Sequence, residues 1–277
     1  MPCVLCGGGG FTHALNCDGF AYVRCNKCGL VQMNPQPEAA QVARRYSETH
    51  GADYLEYELA NEASFLRLQL LALKDAGFEQ LEQKLFQQAE KGGAAAGPAV
   101  LDIGCATGAL LFALKQRGWR TLGVEISPSA NYARKNGLEV SSLSLEKNHF
   151  PAESFDVILA SHLIEHLNDP ALLVRETFRL LKPGGHFFVT TPNIDGFQAR
   201  LFKGGWRSAI FDHLYLFSKK TLKAMLLNAG FKVESFRTWG GLAAGTAPAW
   251  LKKIADPAVK LLGAGDVMIV RAGKESR

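Results

Sequence analysis

Residues 99–108, A-V-L-D-I-G-C-A-T-G, constrain this chain more than any other stretch. Val100, Leu101 and Ile103 supply the apolar run that a parallel strand covered on both faces requires, and only Asp102 interrupts it. Gly104 and Gly108 then let the backbone turn tightly and approach a ligand. They precede a helix whose Leu110, Leu111 and Leu114 recur at helical spacing up to Gly118. A strand breaking through glycines into a helix is the form of a nucleoside-cofactor site. The spacing narrows the ligand, because neither the G-x-G-x-x-G pattern of a dinucleotide site nor the G-x-x-x-x-G-K-S/T pattern of a P-loop fits. A carboxylate at the strand end, where those sites cradle phosphate, suits a ligand with a cationic amino-acid tail.

Two cysteine pairs make the second constraint. Cys3-x2-Cys6 and Cys25-x2-Cys28 have the paired-knuckle spacing of a four-thiolate zinc site, with Gly7 and Gly29 where each knuckle must bend. Four protein ligands leave no open position, so the zinc is expected to be structural. Disulfides are the alternative, and a reducing cytosol disfavours them. His13 and Cys17 lie between the knuckles and read as loop residues. Residues 1–35 are therefore expected to form a zinc ribbon, ended by Pro35 and Pro37.

A connector follows over residues 36–92. It is rich in Ala, Leu, Glu and Gln, with Phe65, Leu66, Leu70 and Leu73 at helical intervals. Tyr46, Tyr54 and Tyr57 either roof the cavity or pack a helix face. The small-residue run Lys91–Pro98 marks a boundary, residues 93–277 are long enough for one α/β domain, and the 47% hydrophobic content of the whole chain is ample for a core. No apolar run reaches membrane-spanning length and no signal peptide is evident, so a cytoplasmic protein is expected. The net charge of +5 comes from scattered Lys and Arg, which permits nucleic acid without indicating it.

Beyond the glycine turn, strand and helix alternate as a doubly wound sheet requires. Strands are expected at 121–125, 138–145, 155–160 and 186–190, and last at 231–236 and 267–271. Asp169 and Pro170 open a helix that the K-P-G-G turn at 182–185 stops, and Ser218 caps another that Gly230 ends. Residues 191–217, irregular and carrying Trp206, Phe211, His213 and Tyr215, lie at the carboxyl edge where such sheets bind ligands. They are expected to form a substrate loop. The insertion at 240–265, with Trp250, has no assigned role.

These motifs together resemble the class I S-adenosylmethionine-dependent methyltransferases. The resemblance rests on L-D-I-G-C-A-T-G at 101–108, on S-H-L-I-E-H-L at 161–167, similar to the H-x-L-E-H-L of many members, and on K-P-G-G before an apolar strand. It covers about residues 99–240. It implies a Rossmann-like, doubly wound, mostly parallel sheet with an antiparallel last strand, and S-adenosylmethionine as cofactor. The cofactor residues would be Asp102, Gly104, Cys105, Thr107, Gly108 and Ser161, with Glu125 on the ribose hydroxyls, Ile126 on the adenine, and Leu145 and Glu146 near the adenine amine. Family members commonly carry Asp at that last place, and this chain does not.

The resemblance is nearest to ubiquinone-type O-methyltransferases and to zinc-knuckle methyltransferases of sugar and polysaccharide biosynthesis. It implies methyl transfer to a small molecule, most naturally at a hydroxyl, with His162, His166 and His213 as the groups able to take a proton. In ubiquinone-type enzymes and small-RNA 2'-O-methyltransferases an E-x-x-E-H turn gathers a magnesium-like ion. Here the turn is His162-x-x-Glu165-His166, so a second divalent metal with His213 is one reading, and a turn merely ordered by hydrogen bonds is the other. Two further functions stay open: an RNA-directed methyltransferase that grips through the ribbon, and a cofactor-binding protein without catalysis. Against the first, the fourth strand ends in L-A-S-H and lacks the Asp/Asn-Pro-Pro-aromatic turn of amino-methylating enzymes.

Overall fold

A computed structural model describes residues 2–45, 48–93, 96–240, 259–260 and 262–276. Tyr46, Trp250 and most of the 240–265 insertion lie outside the described residues, as does the side chain of Tyr54.

The apolar run at 99–103 becomes β4 (Ala99–Ile103), all five residues buried. It lies between β5 (Arg120–Val124) and β7 (Phe155–Ser161), parallel to both. Outside these sit β6 (Val140–Ser141) and β8 (Leu181–Pro192), again parallel. The sheet ends with β11 (Val267–Gly273), antiparallel to β8, and β10 (Lys232–Trp239), antiparallel to β11. The order β10-β11-β8-β7-β4-β5-β6 makes the expected mostly parallel, doubly wound sheet with its antiparallel last strand. The chain winds outward from β4 to β6 and then returns to β7 on the other side. A crevice therefore opens at the carboxyl ends of β4 and β7.

Two expected strands differ in extent. The third is only Val140–Ser141, because polar side chains then bind the backbone locally: Asn148 donates to the carbonyls of Leu143 and Ser144, and residues 145–147 wind into a 3₁₀ turn. The fifth begins earlier, at Leu181, with Lys182–Gly185 bulging out of register before His186 pairs with Val157.

Helices α4 (Ala109–Gln116), α5 (Ser129–Lys135), α6 (Pro170–Leu180), α7 (Phe197–Phe202) and α8 (Lys219–Asn228) follow the strands. Asp169 caps α6 by accepting from the Leu172 N–H, and Ser218 with Thr221 forms a capping box on α8. Each cap satisfies end groups worth about 1 kcal/mol. The connector carries three described helices, α1 (Ala39–Arg45), α2 (Glu48–Asp75) and α3 (Phe78–Lys91). Ala72, Leu73, Ala76, Phe78 and Leu81 pack with Leu110, Leu114, Trp119 and Phe188. The connector is thus fastened to the sheet, with Glu82 accepting from the Trp119 indole at 2.7 Å.

The amino-terminal cysteine segment forms β1 (Phe11–Cys17), β2 (Phe20–Cys25) and β3 (Val31–Met33). A fourth strand, β9 (Tyr215–Leu216), completes this second sheet from the expected substrate loop, pairing Val31 with Leu216 and Gln32 with Tyr215. Just upstream, the Tyr22 hydroxyl lies 2.8 Å from the carbonyls of both Ile210 and His213. Val31, Tyr22 and Leu30 belong to the same buried cluster as Leu216, Trp206 and the sheet residues Ile158 and Val189. No helix among the described residues is long and apolar enough to cross a membrane.

Candidate functional site

A cavity of about 1000 Å³ fills the crevice. At one end lie the glycine turn and the tip of β5. Gly108 has φ of +80° and a Cβ there would collide with Leu138, so a side chain would be both strained and obstructed. Gly104, at φ +75°, turns the chain directly off β4. Gly104, Cys105, Thr107, Glu125, Ile126, Leu145, Glu146 and Ser161 all line the cavity. Asp102 and Gly108 do not form part of that wall. Asp102 is 2% exposed, and burial, together with the nearby Glu125, pushes its carboxyl up to about 8. The same burial raises the Cys105 thiol well above its ordinary range. Glu125 accepts the Ser127 N–H at 2.8 Å and the Ala106 N–H at 3.1 Å. A carboxylate has capacity for further donors, so these bonds aim it without exhausting it.

At the other end three histidines reach the wall. His162 follows β7 at φ +51°, a strained backbone for a non-glycine residue, and its N–H donates to the Thr190 carbonyl. Glu165 and His166 lie on the 3₁₀ turn Ile164–His166. His213 comes from the segment before β9. Among the described residues, ligand atoms of Glu165, His166 and His213 lie within 4.8 Å of one another, and the two imidazoles are 4.7 Å apart between ring centres. His162 stands beside this group, its Nδ1 3.3 Å from Glu165 Oε1. The four-residue convergence expected from sequence is therefore a cluster of three with His162 flanking.

The ring orientations suit a cation site. His166 Nδ1 faces the Asp212 carbonyl at 2.9 Å and His213 Nδ1 faces the Ser208 carbonyl at 2.8 Å. Each Nδ1 is consequently a donor to backbone, which leaves Nε2 as the ring atom free to meet a ligand. Burial lowers His213 to about 4, outweighing the attraction of Glu165. Glu165 is 0% exposed. Burial alone would raise its carboxyl, but the hydrogen bond and charge of His162, with the charges of His166 and His213, hold it at about 2. Thr191 donates to its Oε2 at 2.9 Å, while Oε1 is buried with His162 Nδ1 3.3 Å away. A buried carboxylate and two imidazoles whose ligand atoms converge within 4.8 Å are donors of the kind a divalent cation takes. Three ligands leave positions open for a further oxygen.

The four cysteines gather in turn. Cys3 and Cys28 sulfurs are 3.5 Å apart, Cys6 and Cys25 sulfurs 3.6 Å, and all four lie within 4.8 Å. Zn–S bonds of about 2.3 Å in a tetrahedron need sulfurs about 3.8 Å apart, so the set fits zinc. The two knuckles are built alike, Gly7 N–H bonding to Cys3 O and Gly29 N–H to Cys25 O, with both glycines at positive φ. The sulfur cluster is not on the cavity wall. It connects to it through backbone: Met33 N–H donates to Leu214 O, and Leu214 N–H donates to Glu165 O.

In the expected substrate loop, Trp206 and Tyr215 are buried in the core, while Gln198, Arg207, Ser208 and His213 reach the cavity. Sequence reasoning missed Glu58 and Glu62 of α2, which also line it. Their i, i+4 spacing on one helix face was the available signal, hidden among the many acidic residues of the connector. It also missed Tyr22, whose partners lie 188 and 191 residues away.

Residues 70–235, more than half of the chain, match the family described as a methyltransferase domain. The chain is 38% identical over 108 residues to the ubiquinone biosynthesis O-methyltransferase of Pseudomonas fluorescens, covering 35% of this chain and 46% of that protein. It is 32% identical over 113 residues to the protein of the same name from Acinetobacter baylyi, covering 38% and 48%. The chain thus spans less than half the length of these curated relatives. Among solved structures, a SAM-dependent methyltransferase from Thermotoga maritima superposes with a TM-score of 0.50 at 24% identity, over 76% of this chain and 97% of that one. One from Archaeoglobus fulgidus gives 0.50 at 19%, over 75% and 99%. These two are alike in fold.

Proposed function

The chain belongs to the methyltransferase domain family, and on that premise we propose that it moves the methyl group of S-adenosylmethionine to a hydroxyl oxygen of a small molecule. The observation that carries this reading is the gathering of Glu165, His166 and His213, with both histidines on the wall of the crevice that the glycine turn and Glu125 also line. The ubiquinone-type relatives, named as O-methyltransferases, support the choice of oxygen.

In this reading Glu125 takes the ribose, Ile126 and Leu145 flank the adenine, and Gly104–Thr107 hold the amino-acid tail, with Asp102 bracing the turn from beneath. Transfer from a sulfonium is an in-line displacement, so the protein's main task is to align acceptor oxygen and methyl carbon and exclude water. Glu165, His166 and His213 would hold a divalent cation, which when bound lowers the pKa of an acceptor hydroxyl. His162, at the rim, accepts the hydroxyl proton while Glu165 at 3.3 Å steadies the resulting imidazolium. The methyl group goes to oxygen, its former bond electrons stay on sulfur, and S-adenosylhomocysteine and an ether leave. Cys3, Cys6, Cys25 and Cys28 would hold one structural zinc that fixes the wall bearing His213.

Incubation with methyl-labelled S-adenosylmethionine and a panel of catechols, phenols and sugars, with magnesium, manganese or zinc supplied singly, tests the reading. Label in an ether product, lost on chelation and restored by one metal, is expected. Label entering RNA alone, in a salt-sensitive manner, would replace the small-molecule reading with an RNA-directed one.

A further inference from the structure

Glu58 sits on the connector helix α2 and is 7% exposed, yet it lines the same cavity as Thr107, Glu125 and Ile126. Acidic side chains on long helices ordinarily turn to water. This one is held inward by the Ser129 hydroxyl at the start of α5, which donates to its Oε2. Its other oxygen has no hydrogen bond among the described residues. Burial, followed by the charge of Glu125, raises its carboxyl to about 7.

Two neighbouring carboxylates in a buried wall require compensation, and among the described residues no cation pairs with either. The one Lys or Arg on the wall among the described residues is Arg207, whose Nε lies 3.8 Å from Asp266. Compensation by a ligand's hydrogen-bond donors remains. Glu125 already accepts one backbone N–H on each oxygen, and the oxygen of Glu58 that Ser129 leaves unbonded adds a further acceptor to the same wall for a vicinal diol. Glu58 brings this acceptor from a different element, α2, anchored on Ser129, whose N–H bonds the Ser127 that also donates to Glu125.

We propose that Glu58 is a second carboxylate ligand of the cofactor's ribose, contributed by the connector, so that α2 is a working wall of the cofactor site. The proposal rests on the reading of S-adenosylmethionine as cofactor. It gives α2 a role at each end: the carboxyl-terminal turns pack on the sheet through Ala72, Leu73 and Ala76, and the turn bearing Glu58 reaches the ligand.

Calorimetry with S-adenosylmethionine and with S-adenosylhomocysteine, on the wild type, Glu58→Gln and Glu58→Ala, tests it. Glutamine keeps the shape and can still accept from Ser129, so a purely structural Glu58 predicts unchanged affinity. As a ribose ligand, Glu58→Gln should weaken both ligands about tenfold, and Glu58→Ala at least as much. Equal loss for both is the signature, because both carry the ribose and only S-adenosylmethionine carries the sulfonium charge. Unchanged affinity, or a loss confined to S-adenosylmethionine, overturns the proposal. A wild type that binds neither ligand overturns the cofactor reading itself. Circular dichroism and the unfolding midpoint accompany each variant, and should the glutamine variant not fold, Glu58→Ala carries the same comparison.

Discussion

The two ends of the cavity are put together differently. The proposed cofactor end comes mainly from one strand, turn, helix and strand in succession, β4 through β5, joined by Glu58 of α2, with the glycine turn and Glu125 placed by neighbouring parallel strands. The proposed acceptor end is gathered from afar: His162 and His166 follow β7, His213 precedes β9, and Tyr22 of the cysteine module holds the carbonyls of Ile210 and His213. Order at the first end is local and comes with the sheet. Order at the second depends on contacts between segments far apart in sequence, and a metal held by the four cysteines would be a means of stiffening them. The two ends should therefore fail separately.

The largest separation is expected from Cys25→Ser. Structural zinc binding supplies about 10 kcal/mol or more of folding free energy in small modules, so the variant should lose its zinc and the order of its amino-terminal sheet. Methyl transfer should fall more than about a hundredfold, while affinity for S-adenosylmethionine stays within about threefold of wild type. Metal analysis and calorimetry on one preparation decide it; parallel loss of cofactor binding would show that the ends are not independent.

A cleaner cut at the acceptor end is His213→Ala, which keeps the ribbon. Transfer should drop about a hundredfold, the scale of a lost catalytic group, with cofactor affinity unchanged and the response to added divalent metal abolished. A variant that responds to metal as the wild type does would remove His213 from the ligand set.

The smallest effect concerns the cofactor end alone. Asp102 ionises near 8 when folded and near 3.9 when unfolded, so the folded state binds more protons between those values and its stability falls as pH rises from about 4 to about 8. Asp102→Asn removes that penalty. The unliganded variant should melt a few degrees above wild type at pH 8 and near it at pH 4, while binding S-adenosylmethionine more weakly. A lower midpoint at pH 8 would mean that Asp102 is satisfied in a way the fold does not reveal.

What was legible in the sequence follows the same division. Val100, Leu101 and Ile103 with Gly104 and Gly108 announce their strand and turn because burial and positive φ act on the residues themselves. The cysteine knuckles announce theirs because two intervening residues set the sulfur geometry. His166 and Glu165 could be named, but not the exclusion of His162 from their cluster, since that is decided by a strained backbone at His162 and by carbonyls of Ser208 and Asp212 across the cavity. Residues 138–145 read as a strand and keep only Val140–Ser141 of it, because Asn148 satisfies the Leu143 and Ser144 carbonyls that a neighbouring strand would otherwise need to meet. Glu58 was silent because an acidic residue in a helix says nothing about whether it faces water or a ligand.

The pairing of β3 with β9 has a consequence for synthesis on the ribosome. The cysteine module emerges first, but partners of Tyr22 lie 188 and 191 residues later. At about 5–20 residues per second, the nascent module waits on the order of ten to forty seconds with the edge of β3 unpaired. During that interval it can acquire metal, but it cannot fix His213, and an open strand edge is a point of attachment for other chains. Maturation of the acceptor end is in this sense a late event, completed only when the downstream chain returns to a module that was waiting for it.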